Sequence, residues 1–324
     1  MSAVTPRSAP LRLATLRLGS RRSPMAIAQS RQVANMITER TGRTVEIVGV
    51  TTLGDVSRAQ LTQIGGTGVF VSALREALLG GEVDLAVHSL KDLPSGSAAG
   101  VMLAAVPTRD DPRDALVARD GAKLADLPPG ARIGTGSPRR AAQLLGLRAD
   151  LRCVPIRGNA GTRLGKVSEG ELDAVVLAYA GLARIGHVGA ITQVFEPDEM
   201  LPAPGQGALA VECRADDAEL GALLQAVTDE ASMAAATAER SLLEALEAGC
   251  SAPIGAYAAG AAQLRMQAAV MSPDGSRTLR AHGGAPVADA WQLGRDLAAE
   301  LLRSGASDLI SVSEGQANTR NDVQ

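Results

Sequence analysis

The sequence predicts an α/β protein with two related lobes facing each other across a cleft, followed by a small α+β domain. Three observations carry this. Apolar strand runs alternate with helical patterns through most of the 324 residues, an order that implies βα units and largely parallel sheets. Two stretches of the first lobe recur in the second. After about Ala231 the alternation gives way to an Ala-rich helix, three closely spaced strand runs and a last helix, the pattern of a small antiparallel domain.

The elements follow in order. Leu11–Leu18 is a strand candidate. A helix from Pro24 to about Arg40 has Ser23 as N-cap, Pro24 at its first position and Gly42 as its stop. Thr44–Val50 reads as a strand, Phe70–Leu79 as a helix and Val83–Val87 as a buried strand. Further strands are expected near 131–134, 151–155 and 172–178. The first echo pairs Gly81–Val87 with Gly170–Val176: a helix stop, an acidic turn and an apolar strand. The second pairs Leu18–Pro24 with Ile133–Arg140: a strand end, a Gly/Ser/Thr turn, then Ser-Pro opening a helix. Hinges are expected at Thr108–Asp114 and Pro202–Gly207, with the strand Ala208–Cys213 returning to the first lobe. The division is then residues 11–107 with 208–226, residues 113–201, and residues 230–312. In the last, a helix to about Ala248 precedes strands at 254–259, 264–271 and 277–282 and a helix at 287–303.

Composition narrows the function. With 2% aromatic residues and a net charge of -3, neither a base-stacking platform nor a pull toward polyanions is expected, so no nucleic-acid partner. No run approaches the roughly 20 apolar residues of a membrane helix, and no secretory apolar segment opens the chain, so a cytoplasmic protein without a membrane partner is expected. Three cysteines form no CxxC or Cys/His cluster, so no metal site is expected. Of 32 basic residues only Lys91, Lys123 and Lys166 are lysines, an arginine bias that a GC-rich genome alone can produce. Position therefore matters more than number.

Arg21, Arg139 and Arg140 stand beside the two Ser-Pro turns, where free backbone N–H groups at helix starts make an anion site; the plainer reading is capped helices with solvated arginines. Arg132 to Lys166 holds eight basic residues against one acid, Asp150. Arg157 and Asn159 follow a strand end, where open α/β sheets hold ligands. His88-Ser89-Leu90-Lys91-Asp92 follows the strand Val83–Val87. Lys91 and Asp92 read as an ion pair or as a carboxylate acting on a developing cation, and His88 as a hydrogen-bonded turn histidine. Cys153 and Cys213 lie within apolar strand runs, whereas Cys250 lies in a loop that can expose its thiol. The reading from residues alone is an anion-holding enzyme, the alternative a non-catalytic bilobal protein binding a small anion.

These segments together resemble the porphobilinogen deaminase (hydroxymethylbilane synthase) family, from about Arg12 to Leu309. The landmarks are GSRRSP (19–24), GGTGVF (65–70), DLAVHSLKDLP (84–94), DDPRDALV (110–117), GTGSPRR (134–140), IRGNAGTRL (156–164), LPAPGQGAL (201–209) and GCSAPIG (249–255). Each is weak alone; eight in order are specific. The resemblance implies two lobes of the bilobal binding-protein type and a third domain bearing the cysteine loop. It implies a transferase that condenses four porphobilinogen molecules head to tail with loss of ammonia, in tetrapyrrole and haem biosynthesis. It implies a dipyrromethane cofactor bound through Cys250 and held by Lys91, Thr135, Ser137, Arg139, Arg140, Asn159 and Arg184. Arg21, Ser23, Arg157 and Arg163 would hold substrate, and Asp92 would be catalytic, steadying the cation left by ammonia. A monomer passing its product to uroporphyrinogen-III synthase is implied too. Gln63 and Thr67 stand where many members of the family have lysines, which puts a charge role for that loop in doubt.

Overall fold

The computed structural model describes residues 15–50, 68–247 and 252–311. The expectations for Cys250, Gln63, Thr67, the residues before 15 and those after 311 lie outside the described residues. The chain forms two compact units, one of residues up to 88 with 97–107 and 210–228, the other of residues 89–96, 108–209 and 229 onward.

The first unit is built on a five-stranded sheet. β1 (Leu16–Ser20), β2 (Val45–Gly49) and β3 (Leu85–Ser89) are joined by β10 (Leu209–Arg214) and β4 (Val101–Ala105) in the order β2-β1-β3-β10-β4. β1 pairs in parallel with β2 and β3, and β10 is antiparallel to β4. Helix α1 (Pro24–Thr41) starts as its sequence dictates: the Ser23 side chain accepts from the Ala26 N–H, Pro24 follows, and Gly42 ends it at φ 69°. Helix α2 (Gly68–Leu79) packs Leu74, Ala77 and Leu78 on Val83 and Ala86. His88 is not in a turn. It lies in β3, 6% exposed, with Nε2 3.2 Å from Glu212 Oε2, while Arg75 donates to both Glu212 oxygens. Burial would raise the Glu212 carboxyl, but His88 and Arg75 hold it down to about 2.

The second unit repeats this plan. β5 (Asp114–Ala118), β6 (Arg132–Gly134), β7 (Arg152–Val154), β8 (Ala174–Ala178) and β9 (Gln193–Val194) follow the order β7-β6-β8-β5-β9. Helices α3 (Pro138–Leu147), α4 (Ala160–Ser168) and α5 (Tyr179–Arg184) follow β6, β7 and β8. The internal echoes fall on equivalent strands, since β3 and β8 each occupy the third place. Both sheets are mixed rather than largely parallel: β6 is parallel to β7 and β8, but β5 is antiparallel to β8 and β9. The antiparallel members, β5 and β10, are the strands by which the chain passes from one sheet to the other, so no βα crossover within a sheet sets their direction.

The same unit carries a three-stranded antiparallel sheet, β11 (Ile254–Ala259), β12 (Gln263–Met271) and β13 (Thr278–Pro286). Helix α6 (Ala218–Leu224) belongs to the first unit, whereas α7 (Glu230–Ala245) and α8 (Ala290–Arg303) cover this small sheet. Scarce aromatics leave the core to Leu242, Ile254, Met266, Val270, Leu293 and Leu297. The helices approach so closely at Gly294 that a Cβ there would stand 2.1 Å from the Ala238 carbonyl oxygen. Glu239 of α7 is fully buried and saturated: it accepts from Arg109 at 2.6 and 3.1 Å, from the Gly205 N–H at 2.6 Å and from the Ala258 N–H at 2.7 Å.

Glu239→Ala therefore strands a buried guanidinium and two amide N–H groups. It is expected to cost about 3–5 kcal/mol and to lower the denaturant midpoint; an unchanged midpoint would refute the anchoring role.

Candidate active site

The C-terminal ends of β6, β7 and β8 lie along one edge of the second sheet, because the three strands run parallel. Residues just beyond them therefore converge: Thr135 and Ser137 after β6, Arg157 and Asn159 after β7, α5 with Arg184 after β8. The Thr135 N–H donates to the Val154 carbonyl at 2.9 Å, stitching the first two ends together. Asp114 reaches the same edge from the other direction. It heads β5, which runs antiparallel to β8 with Asp114 opposite Ala178.

Asp114 is fully buried and lies 2.7 Å from Arg139 Nη1 and 2.7 Å from Arg140 Nη2. Burial alone would raise its carboxyl; the two guanidiniums hold it well below the usual carboxylate range. Burial lowers Arg139 from its ordinary value, opposed by Asp114. Arg139 also donates to the Leu201 carbonyl at 2.6 Å and Arg140 to the Val176 carbonyl at 3.1 Å. These arginines are thus not solvated at the helix start. They are 3% and 6% exposed, and they sit on the first turn of α3, which Ser137 caps by accepting from the Arg140 N–H at 3.4 Å.

Gln206 extends the cluster. Its amide nitrogen donates to Asp114 at 2.9 Å, and its oxygen accepts from Arg140 Nη2 and Lys91 Nζ, both at 3.3 Å. Lys91 is half-buried; burial, then Arg140, pushes its amine down to about 8, against the pull of Asp92 and Asp114. Asp92 is exposed, with no hydrogen bond or ion pair to a described residue, so of the two readings of Lys91 and Asp92 the ion pair does not form.

The other expected residues are dispersed around this core. Thr135 is buried and accepts from the Ser137 N–H at 3.1 Å. Asn159 caps α4, accepting from the Thr162 N–H at 2.9 Å. Arg157 is exposed. Arg163 donates to the Gly158 carbonyl at 2.9 Å and is lowered by burial and then by Arg140. Arg184 is committed within the chain, donating to Asp110 at 2.9 Å and to the Gly207 carbonyl at 2.7 Å; burial lowers it, opposed by Asp110. Arg21 and Ser23 belong to the first unit, half-buried beyond β1. Burial pushes the thiols of Cys153 and Cys213 up to about 11, which disfavours the reactive thiolate. Asp114 and Gln206 were missing from the sequence-based set of site residues. The one available signal was an acid opening the apolar run 115–118.

The comparisons agree along the chain. A family profile described as porphobilinogen deaminase, dipyromethane cofactor binding domain, matches residues 16–222, and one described as porphobilinogen deaminase, C-terminal domain, matches residues 233–303. The porphobilinogen deaminase of Thermobifida fusca is 60% identical over 306 residues, 91% of this chain and 95% of that protein. Porphobilinogen deaminase 1 of Streptomyces coelicolor is 55% identical over 309 residues, 91% and 97% of the two chains. A periplasmic substrate-binding protein of an ABC transporter from Coxiella burnetii superposes with a TM-score of 0.42 at 16% identity, over 66% of this chain and 92% of that one, too loose a likeness to bear on function.

Burial separates two arginines that look alike in sequence. Arg139→Leu is expected to lose about 2 kcal/mol of stability by breaking a buried ion pair. Exposed Arg157→Leu should stay within about 0.5 kcal/mol of wild type. Equal unfolding midpoints for the two variants would refute the distinction.

Proposed function

Because this chain belongs to the porphobilinogen deaminase family, we propose that the cationic edge of its second sheet holds the acetate and propionate groups of porphobilinogen and of the growing pyrrole chain. Its activity is that of a hydroxymethylbilane synthase (EC 2.5.1.61) of tetrapyrrole biosynthesis: four porphobilinogen molecules condense head to tail, each losing ammonia, with a dipyrromethane cofactor. Membership replaces the alternative of a non-catalytic anion-binding protein.

The observation that carries the site reading is the charge excess at this edge. Lys91, Arg139 and Arg140 gather around one buried carboxylate, Asp114, with Arg157 exposed beyond β7. Each added ring brings two carboxylates, and guanidiniums bind carboxylates bidentately. The same donor set suits the four carboxylates of a dipyrromethane. Lys91, Thr135, Ser137, Arg139, Arg140, Asn159 and Arg184 would hold that group, Arg139 and Arg140 chiefly through their field since Asp114 occupies their guanidiniums. Arg21, Ser23, Arg157 and Arg163 would hold substrate. When bound, dipyrromethane supplies the ring to which the first substrate is joined. Cys250 would be its thioether attachment, a reading supported by the raised thiols of Cys153 and Cys213. Asp92, exposed beside Lys91, would oppose the positive charge that develops on a substrate pyrrole as ammonia leaves.

The expected division, residues 11–107 with 208–226, 113–201 and 230–312, belongs to this reading. So does a monomeric cytoplasmic enzyme handing its product to uroporphyrinogen-III synthase. Among the described residues no helix is long and apolar enough to cross a membrane.

Intact mass and turnover test the site assignments together. Cys250→Ser should fold without a two-pyrrole adduct and form no product, because an unactivated hydroxyl is a poor nucleophile. Cys153→Ser and Cys213→Ser should keep the adduct. Asp92→Asn should keep it too while turning over about a hundredfold more slowly or worse. An adduct persisting in Cys250→Ser, or near-normal turnover by Asp92→Asn, would overturn the respective assignment.

A further inference from the structure

Gln206 is fully buried, yet the four hydrogen-bonding positions of its side-chain amide all have partners. Nε2 donates to the Pro112 carbonyl at 2.7 Å and to Asp114 Oδ1 at 2.9 Å. Both partners only accept, so the orientation of the amide is fixed. Oε1 must then face Lys91 Nζ and Arg140 Nη2, each 3.3 Å away, and both only donate. The backbone is pinned as well. The Gln206 carbonyl accepts from Arg109 Nε at 2.8 Å, and the neighbouring Gly207, at φ +87°, lies where a Cβ would stand 2.4 Å from the Asp110 carbonyl oxygen.

We propose that Gln206 is a positioning residue for the deaminase reaction: its neutral amide oxygen fixes the Lys91 ammonium and the Arg140 guanidinium in place without cancelling their charge, which stays directed at the carboxylates of the pyrrole chain. The proposal rests on the assignment of Lys91 and Arg140 as carboxylate-holding residues. The chemistry of the position argues for an amide specifically. A glutamate there would pair with both cations but set a second carboxylate against Asp114 and a bare acceptor against the Pro112 carbonyl. A methionine would leave Asp114 short of a donor and Lys91 without the acceptor that holds it. Among the described residues no carboxylate is ion-paired with Lys91. The charged groups that act on it are Arg140, Asp92, Asp114 and Arg139, so a change of charge at residue 206 registers directly on the lysine.

The test reads Lys91 itself in the cofactor-bearing protein. An amine-selective acylating reagent is applied across pH, and labelling is followed at the Lys91 peptide by mass spectrometry, with Lys123 and Lys166 as internal references. The wild-type Lys91 midpoint in this cofactor-bearing state is the reference. Gln206→Glu should move it up by about one unit or more and raise KM for porphobilinogen about tenfold, with Lys123 and Lys166 unchanged. Gln206→Met, which adds no charge, should instead lower the midpoint and also raise KM; it carries the test if the glutamate variant does not fold. A Lys91 midpoint that stays at the wild-type value in either folded variant overturns the positioning role. Lys91→Met is the separate control: a dipyrromethane adduct retained at wild-type occupancy by intact mass, together with a KM unchanged from wild type, would overturn the carboxylate-holding role of Lys91, and the proposal with it.

Discussion

Asp114 is a carboxylate with no solvent, enclosed by Arg139, Arg140 and Gln206. Removing a charge from water is costly, and such a group persists only when counter-charges and hydrogen bonds replace its hydration. Here two guanidiniums and an amide do so. Its place follows from topology: β5 runs against β8, so its first residue stands at the edge where β6, β7 and β8 end. Because the two arginines occupy the first turn of a capped helix, the carboxylate also fixes how that helix meets the sheet. One negative charge thus organises several positive ones and leaves an excess facing the edge at which ligands are held.

A second buried acid ties the rest of this unit to that cluster. Glu239 of α7 gathers Arg109, the Gly205 turn and the first strand of the small antiparallel sheet, at Ala258, around one carboxylate. Arg109 in turn donates to the Gln206 carbonyl. The two acids are thereby linked through the 203–207 turn, whose glycines permit positive φ and close backbone approach. Both acids act the same way: a charge that cannot be solvated imposes its geometry on every donor around it. Disturbance at one is expected to reach the other through this turn.

Much of this was legible in the chain. Capping signals set α1 to within a residue, because Ser23, Pro24 and Gly42 act through local backbone chemistry. The echoes foretold two related α/β lobes, since a repeated helix stop and strand is a repeated βα unit. Strand direction was less legible. The return of 208–213 to the first sheet was legible and β10 takes that place, but the antiparallel pairings of β10 with β4 and of β5 with β8 join strands of long sequence separation, which local pattern does not encode. His88 reads as a turn residue in the sequence because its partner, Glu212, lies far along the chain. Arg139 and Arg140 were recognised as site residues but not as buried ones. Their depth depends on Asp114, whose own role shows only once antiparallel pairing sets it at the sheet edge. Gln206, neutral and inside a glycine turn, carried no chemical signal of its own.

The stability of Asp114→Asn relative to wild type, followed with pH together with porphobilinogen turnover, tests this most directly. The Asp114 carboxyl titrates lower in the folded chain than in the unfolded one. Its stabilisation is therefore complete above the unfolded value of about 3.9 and fades as pH falls below it. The variant should be markedly less stable and slower at pH 7, with the stability gap narrowing as pH drops from 4 toward 2. A gap of the same size at pH 7 and pH 2.5, or a variant as stable and as active as wild type at neutral pH, would contradict the claim that this one buried charge holds the site together.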